Sequence, residues 1–206
     1  MGKVILDVTM SLDGFIAGPH DEIEPLHDWL FDGKDRLGTE LMAQSLASTG
    51  AVIMGRRTFD IVDGPNGWTA PDGTGFSLPV FVLTAEAQPP VTKGVTPFSF
   101  VTCGFETALA QARAVAGDKN IAVMGANIAQ QCLQADLLDE MEIHIAPLLL
   151  GEGIRLFDHI GACHIALAGT LVIESPGVTH LRFSVLGQSG ARKSDAAPGD
   201  FGDSGH

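Results

Sequence analysis

Positive charge, cysteine and long apolar runs are all scarce in this sequence. Its 206 residues hold 12 Lys and Arg against 25 Asp and Glu, a formal net charge of −13, which disfavours non-specific binding to nucleic acid or an anionic membrane. No apolar run reaches the roughly 18 residues of a membrane span. The opening run MGKVILDVTM, interrupted by Asp7, is a poor signal peptide. We therefore expect a globular, cytoplasmic protein without nucleic-acid or membrane partners.

Several chemical signatures are also missing. The three cysteines, Cys103, Cys132 and Cys163, form no CxxC pair, so we expect buried thiols in a reducing compartment. The segment HIGACH (159–164) lacks a third ligand at usable spacing, and no metal site is expected. No GxGxxG, GxxxxGK[ST] or GxSxG occurs, nor the HxE and PCxxC of a zinc deaminase, which argues against P-loop, serine-hydrolase and deaminase chemistry.

Apolar, β-branched runs alternate with helical stretches along the chain, which is typical of a largely parallel α/β sheet. A turn signal, SPG, separates two late β-runs within 164–187 and predicts a C-terminal antiparallel hairpin at one edge. We predict one domain over 1–187 and a disordered polar tail over 188–206. The predicted strands are 3–11, 50–55, 79–84, 98–102, 120–125 and 141–151, and the predicted helices are 38–48, 105–116 and 127–138.

Two of these strands end in a glycine that precedes a helix. In VIMGRRTF, Gly55 is followed by Arg56 and Arg57, and guanidinium groups at a helix N-terminus favour a phosphate; a solvated arginine pair is the alternative. In IAVMGANIAQQCL, Gly125 opens a turn of small residues with Asn127 in an N-cap position. That turn fits a diphosphate, or an ordinary strand–turn–helix connection.

Taken in order, MSLDGFIAG, VIMGRRTF, VFVLT, VMGANIAQQCL and DEMEIHIAPLLLGEGIRLF resemble the dihydrofolate reductase-like superfamily. The resemblance is closest to the C-terminal reductase domain of the bifunctional riboflavin-biosynthesis deaminase/reductase and its stand-alone relatives, and it covers residues 3–186. It implies a dihydrofolate reductase-like fold, a homodimer and NADPH as hydride donor. Relatives commonly have Gly-Gly where this chain has Gly125-Ala126, and an alanine at positive φ would cost about 1 kcal/mol.

The resemblance implies which residues hold the cofactor. It places Ile16 and Ala17 near the nicotinamide, and Leu83 and Thr84 beside the adenine ribose. Four residues are placed at the diphosphate and the adenosine phosphate: Gly55, Arg56, Arg57 and Thr58. Four more are placed under the diphosphate: Gly125, Ala126, Asn127 and Ile128.

The substrate side is less clearly marked. Asp13 and Asp28 are candidate catalytic carboxylates for delivering a proton, although Asp13 could cap a turn, Asp28 could be a solvated loop residue, and water could supply the proton. Trp29 could stack on a heterocycle or anchor the loop. In HIAPLLLGEG, His144 is expected to be a core histidine, and a solvated turn is the alternative to substrate binding for four residues: Pro147, Gly151, Glu152 and Gly153.

The resemblance therefore implies an NADPH-dependent reductase that transfers a hydride to a small heterocycle of the pyrimidine or pteridine type. Reduction of dihydrofolate itself is one alternative. A non-catalytic nucleotide-binding protein that has kept the fold is the other, since fold alone does not establish activity.

Overall fold

The computed structural model describes residues 2–24, 26–31, 33–62, 68–69, 75–161 and 164–188. Residues 189–206 of the predicted tail, Cys163, and residues 63–67 and 70–74 lie outside these ranges, whereas Gln188, the first residue of the predicted tail, is the last residue of a strand. The helices are α1 (Asp28–Phe31), α2 (Arg36–Ser48), α3 (Arg56–Val62), α4 (Phe105–Ala116) and α5 (Ala126–Gln134). The strands are β1 (Val4–Ser11), β2 (Phe15–Ala17), β3 (Thr49–Gly55), β4 (Val80–Leu83), β5 (Val91–Lys93), β6 (Thr96–Val101), β7 (Asn120–Met124), β8 (Glu140–Ala146), β9 (Ile154–Arg155), β10 (Ile165–Ser175) and β11 (Val178–Gln188).

A nine-stranded sheet forms the centre, in the order β10-β11-β8-β1-β7-β3-β4-β6-β5. The six strands from β8 to β6 run parallel to one another, while β11, β10 and β5 run antiparallel to their neighbours. A second, two-stranded sheet pairs β2 with β9. The predicted α/β class, with a mostly parallel sheet and a C-terminal antiparallel hairpin, is confirmed.

Helices cover the sheet because their apolar residues recur at helical spacing. In α4, Phe105, Ala108, Leu109, Ala112 and Ala116 are buried on one side, as expected of an amphipathic helix over a core. Together with α5, they close a cluster over the strand residues that point to that face. A second, smaller cluster contains α3 and the residues of β3 and β4 that point the other way, because successive side chains of a strand alternate between faces.

Strand β8 ends at Ala146, five residues before the predicted end, and the following LLLGEG is irregular. Gly151 and Gly153 have φ of 77° and 138°, a region that L-residues rarely adopt. The hairpin turns at Pro176 and Gly177, as SPG predicted, and its second strand pairs with β8 so that His180 lies opposite His144.

Two further sequence expectations can be compared with the fold. Cys132 is buried, and burial raises the pKa of its thiol to about 12, whereas Cys103 is exposed and the expectation of a buried thiol is wrong there. Within the described part of the chain, every helix is too short or too polar to cross a bilayer.

Candidate functional site

A cavity of about 990 Å³ lies over Val52 and Met124 and extends past the carboxyl ends of β3, β4 and β7. Ligands of open α/β sheets bind outside these strand ends, and the volume is at the upper end of the roughly 300–1,000 Å³ typical of small-molecule pockets. All twelve residues predicted to hold a cofactor line this cavity: Ile16, Ala17, Gly55, Arg56, Arg57, Thr58, Leu83, Thr84, Gly125, Ala126, Asn127 and Ile128. Their role in cofactor binding stays a prediction.

The two glycine-terminated turns meet in this cavity. They are neighbours because β3 and β7 pair in parallel up to Met54 and Met124. Gly125 has φ of 88°, and a Cβ there would lie 2.5 Å from Thr58 Oγ1. Glycine is therefore required at position 125 both for its backbone conformation and for the close approach of the other turn.

The turn after β7 differs from the sequence expectation in one detail. Gly125, not Asn127, is the N-cap of α5, and no side chain in the described part of the chain caps this helix end. Asn127 lies inside the first turn and accepts a hydrogen bond from Gln131. Ala126 begins the helix and has no positive φ, so the alanine that replaces the second glycine is not strained.

Both arginines of the first turn are already paired with carboxylates. Arg56 donates from Nε to Asp60 at 2.9 Å and lies over the ring of Phe59, whereas Arg57 is ion-paired with Asp21, which follows β2. Asp21 has φ of 69°, an uncommon conformation for a non-glycine residue. An anionic ligand would therefore add to, or compete with, existing ion pairs.

The other end of the cavity is lined by polar groups of β1 and β8 together with the α1 and α2 region. Asp7 and Thr9 of β1 and His144 of β8 line it, with Trp29 beside them. The Trp29 ring lies 5.2 Å from the His144 ring, and its Nε1 is buried without a hydrogen-bond partner among the described residues. An unpaired buried donor beside a cavity is uncommon in folded proteins.

Four residues form a continuous hydrogen-bonded series that ends at this cavity, and we call them the histidine chain. Asp35 Oδ2 lies 2.8 Å from His180 Nε2, His180 Nδ1 lies 2.8 Å from His144 Nδ1, and His144 Nε2 lies 3.2 Å from Asp7 Oδ1. Asp35, His180 and His144 are buried, and the Asp7 side chain is 30% exposed. His144 is thus a satisfied histidine, as expected, but it also faces the cavity.

The protein environment shifts the pKa values of His180 and Asp35. Burial lowers the pKa of the His180 imidazole, and the hydrogen bond to Asp35 only partly opposes this effect. Burial also raises the pKa of Asp35, but hydrogen bonds from the Gly38 N–H, Ser175 and His180 outweigh it and leave the pKa below its ordinary value. Asp35 therefore stays ionised inside the protein.

The candidate carboxylate Asp13 has a structural position instead. It accepts hydrogen bonds from Ser11 Oγ at 2.6 Å and from the backbone N–H groups of Leu150 and Gly151 at 3.1 and 2.8 Å. The Ser11 bond contributes most to lowering the pKa of Asp13, to about 2. A carboxylate that stays ionised and fastens the β1–β2 turn to the 148–153 segment is poorly suited to donate a proton at neutral pH.

The other predicted substrate-side residues separate into two groups. Trp29 lines the cavity, whereas Asp28, the first residue of α1, is exposed and is not part of the lining. A Cβ on Gly153 would lie 2.1 Å from the Ala17 carbonyl oxygen, so this glycine permits close packing of the turn on β2. Four exposed residues of this turn do not line the cavity: Pro147, Gly151, Glu152 and Gly153.

Sequence reasoning did not select Asp7, Thr9, Asp35 or His180 for the site. The signal for Asp7 was present, since a carboxylate interrupts the apolar run of a central strand, where a charge requires a partner. Asp35 and His180 carried no comparable signal. Among the described residues, no three His, Cys, Asp or Glu side chains converge as a metal site would require.

The sheet order and the cavity at the strand ends define a dihydrofolate reductase-like protein. The model of the RibD C-terminal domain matches residues 2–176, and the chain belongs to this family. It is 28% identical over 160 residues to "Uncharacterized protein YwjB" of Bacillus subtilis (strain 168), an alignment that covers 77% of this chain and 84% of that protein.

Solved structures share the fold. The one named "Putative riboflavin biosynthesis protein", from Shewanella sp. PV-4, has a TM-score of 0.68 and 24% identity, over 89% of this chain and 98% of that one. The Thermotoga maritima diaminohydroxyphosphoribosylaminopyrimidine deaminase/5-amino-6-(5-phosphoribosylamino)uracil reductase has a TM-score of 0.64 and 16% identity, over 89% of this chain and 56% of that one.

Proposed function

We propose that the protein is a cytoplasmic, homodimeric, NADPH-dependent reductase that transfers a hydride to a small pyrimidine- or pteridine-type heterocycle. The observation that carries the proposal is one cavity with two chemically different ends. One end is formed by two glycine turns and two arginines, and the other by a carboxylate, a hydroxyl, an imidazole and an indole. This division suits a dinucleotide lying beside a polar ring.

The residues at the first end fit a phosphorylated dinucleotide. No side chain of the described residues caps the N-terminus of α5, and uncapped N–H groups at a helix N-terminus favour an anion. The close approach of Thr58 to Gly125 leaves no room for a side chain at position 125. Arg56 and Arg57 would contact the phosphates, and the bound nicotinamide would supply the hydride.

The residues at the second end fit a ring that carries both donors and acceptors. The Asp7 carboxylate accepts hydrogen bonds from ring or exocyclic N–H groups, and Thr9 both donates and accepts. The Trp29 Nε1–H has no hydrogen-bond partner among the residues that the structure describes, and a carbonyl or ring nitrogen of a ligand would satisfy it, since buried donors are normally paired. Pyrimidines and pteridines present this combination of groups.

Binding is the first test. Calorimetric titration with NADPH and NADH is compared among the wild type, Arg57→Ala and Arg36→Ala, a control whose exposed side chain pairs with Glu40 on α2. Loss of a charge-assisted contact costs roughly 1.5–3 kcal/mol, so we expect Arg57→Ala to weaken NADPH binding at least about tenfold. Equal affinity in all three proteins would refute the assignment of Arg57.

Turnover is the second test. Stopped-flow loss of nicotinamide absorbance is followed against a panel of pterins and ribosylaminopyrimidines, with dihydrofolate included. Oxidation of NADPH by at least one member of the panel is expected. Tight NADPH binding without turnover across the panel would instead favour a nucleotide-binding protein without catalysis.

A further inference from the structure

The histidine chain has one proton fewer than its contacts require when all its members are in their ordinary states. Three contacts join the two carboxylates and the two imidazoles, and each contact needs one shared proton. Ionised carboxylates supply none and a neutral imidazole supplies one, so two protons would serve three contacts. When the histidine chain binds one further proton, all three contacts are satisfied, and its four side chains then carry two negative charges and one positive charge.

The additional proton is favoured on the residue that faces the cavity. His180 is 2% exposed, and a charge there would be placed deep in the protein, where it is costly. His144 lies between His180 and Asp7, a carboxylate that is 30% exposed. With the proton on His144, this ring donates from Nδ1 to His180 and from Nε2 to Asp7, while His180 donates from Nε2 to Asp35.

Other charges face His144 from the elements around it. On β8 itself, Glu142 forms an ion pair with Arg182 of β11 at 2.7 Å. His27 also lines the cavity, and burial lowers the pKa of its imidazole, so it adds little positive charge at neutral pH. The Trp29 ring lies 5.2 Å from each histidine ring of the chain and covers the pair with an uncharged surface.

We propose that the histidine chain is the proton source of the reaction, with His144 as the proton donor and with His180 and Asp35 as positioning residues. This inference rests on the proposed reductase function. When a hydride adds to the carbon of a C=N or C=O group, the heteroatom gains an electron pair and needs one proton. His144 gives up its Nε2 proton to that atom, directly or through Asp7, and the chain returns to two shared protons. After the product leaves, a proton from solvent reprotonates His144 and returns the histidine chain to three shared protons.

Asparagine substitutions at the two ends test the proton count without removing a hydrogen-bonding group. In Asp35→Asn, the amide donates to His180 Nε2, so His180 donates from Nδ1 and His144 donates from Nε2 to Asp7. In Asp7→Asn the direction is opposite, and His144 donates from Nδ1. Each variant satisfies all three contacts with neutral rings, so neither needs the additional proton. Asparagine also remains a good N-cap for α2.

The measurement is the ¹⁵N chemical shift of both rings, followed from about pH 5 to 8, where imidazoles titrate. In the wild type we expect His144 to have both nitrogens protonated at the acidic end and His180 only Nε2. In each variant the three contacts are satisfied without the additional proton, so we expect the His144 ring to lose its second proton at a lower pH than in the wild type. The neutral ring should carry its proton on Nε2 in Asp35→Asn and on Nδ1 in Asp7→Asn.

The control is Asp158→Asn, the same chemical change at an exposed residue outside the cavity, which should leave both rings unchanged. Two neutral rings in the wild type throughout this range, or unchanged titration in Asp35→Asn, would overturn the inference. These spectra do not depend on turnover, so they remain decisive even if the protein reduces no substrate in the panel.

The kinetic part of the test uses a substrate found in that panel. The wild-type kcat should fall as the pH rises through the His144 midpoint measured by NMR. In Asp35→Asn, the decrease in kcat should occur at a lower pH, together with the His144 midpoint. At any pH above both midpoints, kcat should then be roughly tenfold lower than in the wild type for each pH unit by which the midpoint is lowered. The KM for NADPH should be unchanged. A kcat profile identical to that of the wild type would show that the proton comes from elsewhere.

Discussion

Replacing Gly38 with alanine should destabilise the protein, although helix propensity alone predicts the opposite. Gly38 is the third residue of α2 and has no positive φ, and alanine in a helix is favoured over glycine by about 1 kcal/mol. In the structure, however, a Cβ at this position would lie 1.8 Å from Asp35 Oδ2 and 2.7 Å from His180 Cε1. The carboxylate would have to move, which would disturb its hydrogen bonds to the Gly38 N–H and to His180.

The magnitude follows from those two hydrogen bonds. Asp35 caps α2 by accepting from the Gly38 N–H at 2.7 Å, and loss of such a cap costs roughly 0.5–2 kcal/mol. The buried bond between Asp35 and His180 involves an ionised group and is worth roughly 1.5–3 kcal/mol. After subtraction of the propensity gain, Gly38→Ala should lower the free energy of unfolding by about 1–4 kcal/mol.

Urea unfolding of four proteins measures this effect: wild type, Gly38→Ala, Asp35→Ala and the double variant. Because the first clash is with the Asp35 carboxylate, its removal should relieve much of the penalty at Gly38. We expect a coupling free energy of at least about 1 kcal/mol between the two changes. A Gly38→Ala protein as stable as the wild type, or strictly additive effects, would refute the reasoning.

Three further predictions concern the cavity turn, the Asp13 carboxylate and the sheet edge. Gly125→Ala should weaken NADPH binding at least about tenfold, since positive φ costs an L-residue roughly 1–2 kcal/mol and the new Cβ meets Thr58. The calorimetric control is Gly117→Ala. Gly117 has φ of 61° and open space around the position of a Cβ, so this variant should bind NADPH normally. The Asp13 carboxyl should titrate near pH 2 by ¹³C NMR. Because its folded pKa lies below the unfolded value, it stabilises the protein above about pH 4 and loses this contribution as the pH falls towards 2; Ser11→Ala should raise the midpoint, and a midpoint at the ordinary value would contradict the geometry. Edge strand β10 leaves Leu167 and Val172 43% and 70% exposed, so we expect a dimer by light scattering at micromolar concentration, and a monomer would count against it.

The sheet was predictable because its central strands are buried on both faces. Such strands appear in the sequence as continuous β-branched runs between glycines, and each of the six predicted strands corresponds to a strand of the structure. The elements that were missed are short: β2, β5 and β9 have three, three and two residues, and α1 has four. Segments of this length are determined by the surface they pack on and carry too few residues to show a period.

The phosphate-side half of the cavity was also predictable, for a local reason. Each turn follows its strand directly, so residues such as Gly55 and Gly125 were expected at the carboxyl edge before any pairing was known. That β3 and β7 are neighbours was implied by the family resemblance and could not be read from either segment alone.

The histidine chain illustrates what a single sequence cannot show. Its members lie at positions 7, 35, 144 and 180, on β1, before α2, on β8 and on β11. A buried ionisable side chain in a central strand needs a hydrogen-bonding or charged partner, because burying it unpaired is costly. Asp7 in VILDVTM and His144 in MEIHIAP are therefore each expected to have such a partner. The identity of that partner depends on topology: β8 lies between β1 and β11, and the antiparallel register sets His180 opposite His144. A shift of that register by one residue would turn His180 to the other face of the sheet, and the four residues would no longer form one hydrogen-bonded series.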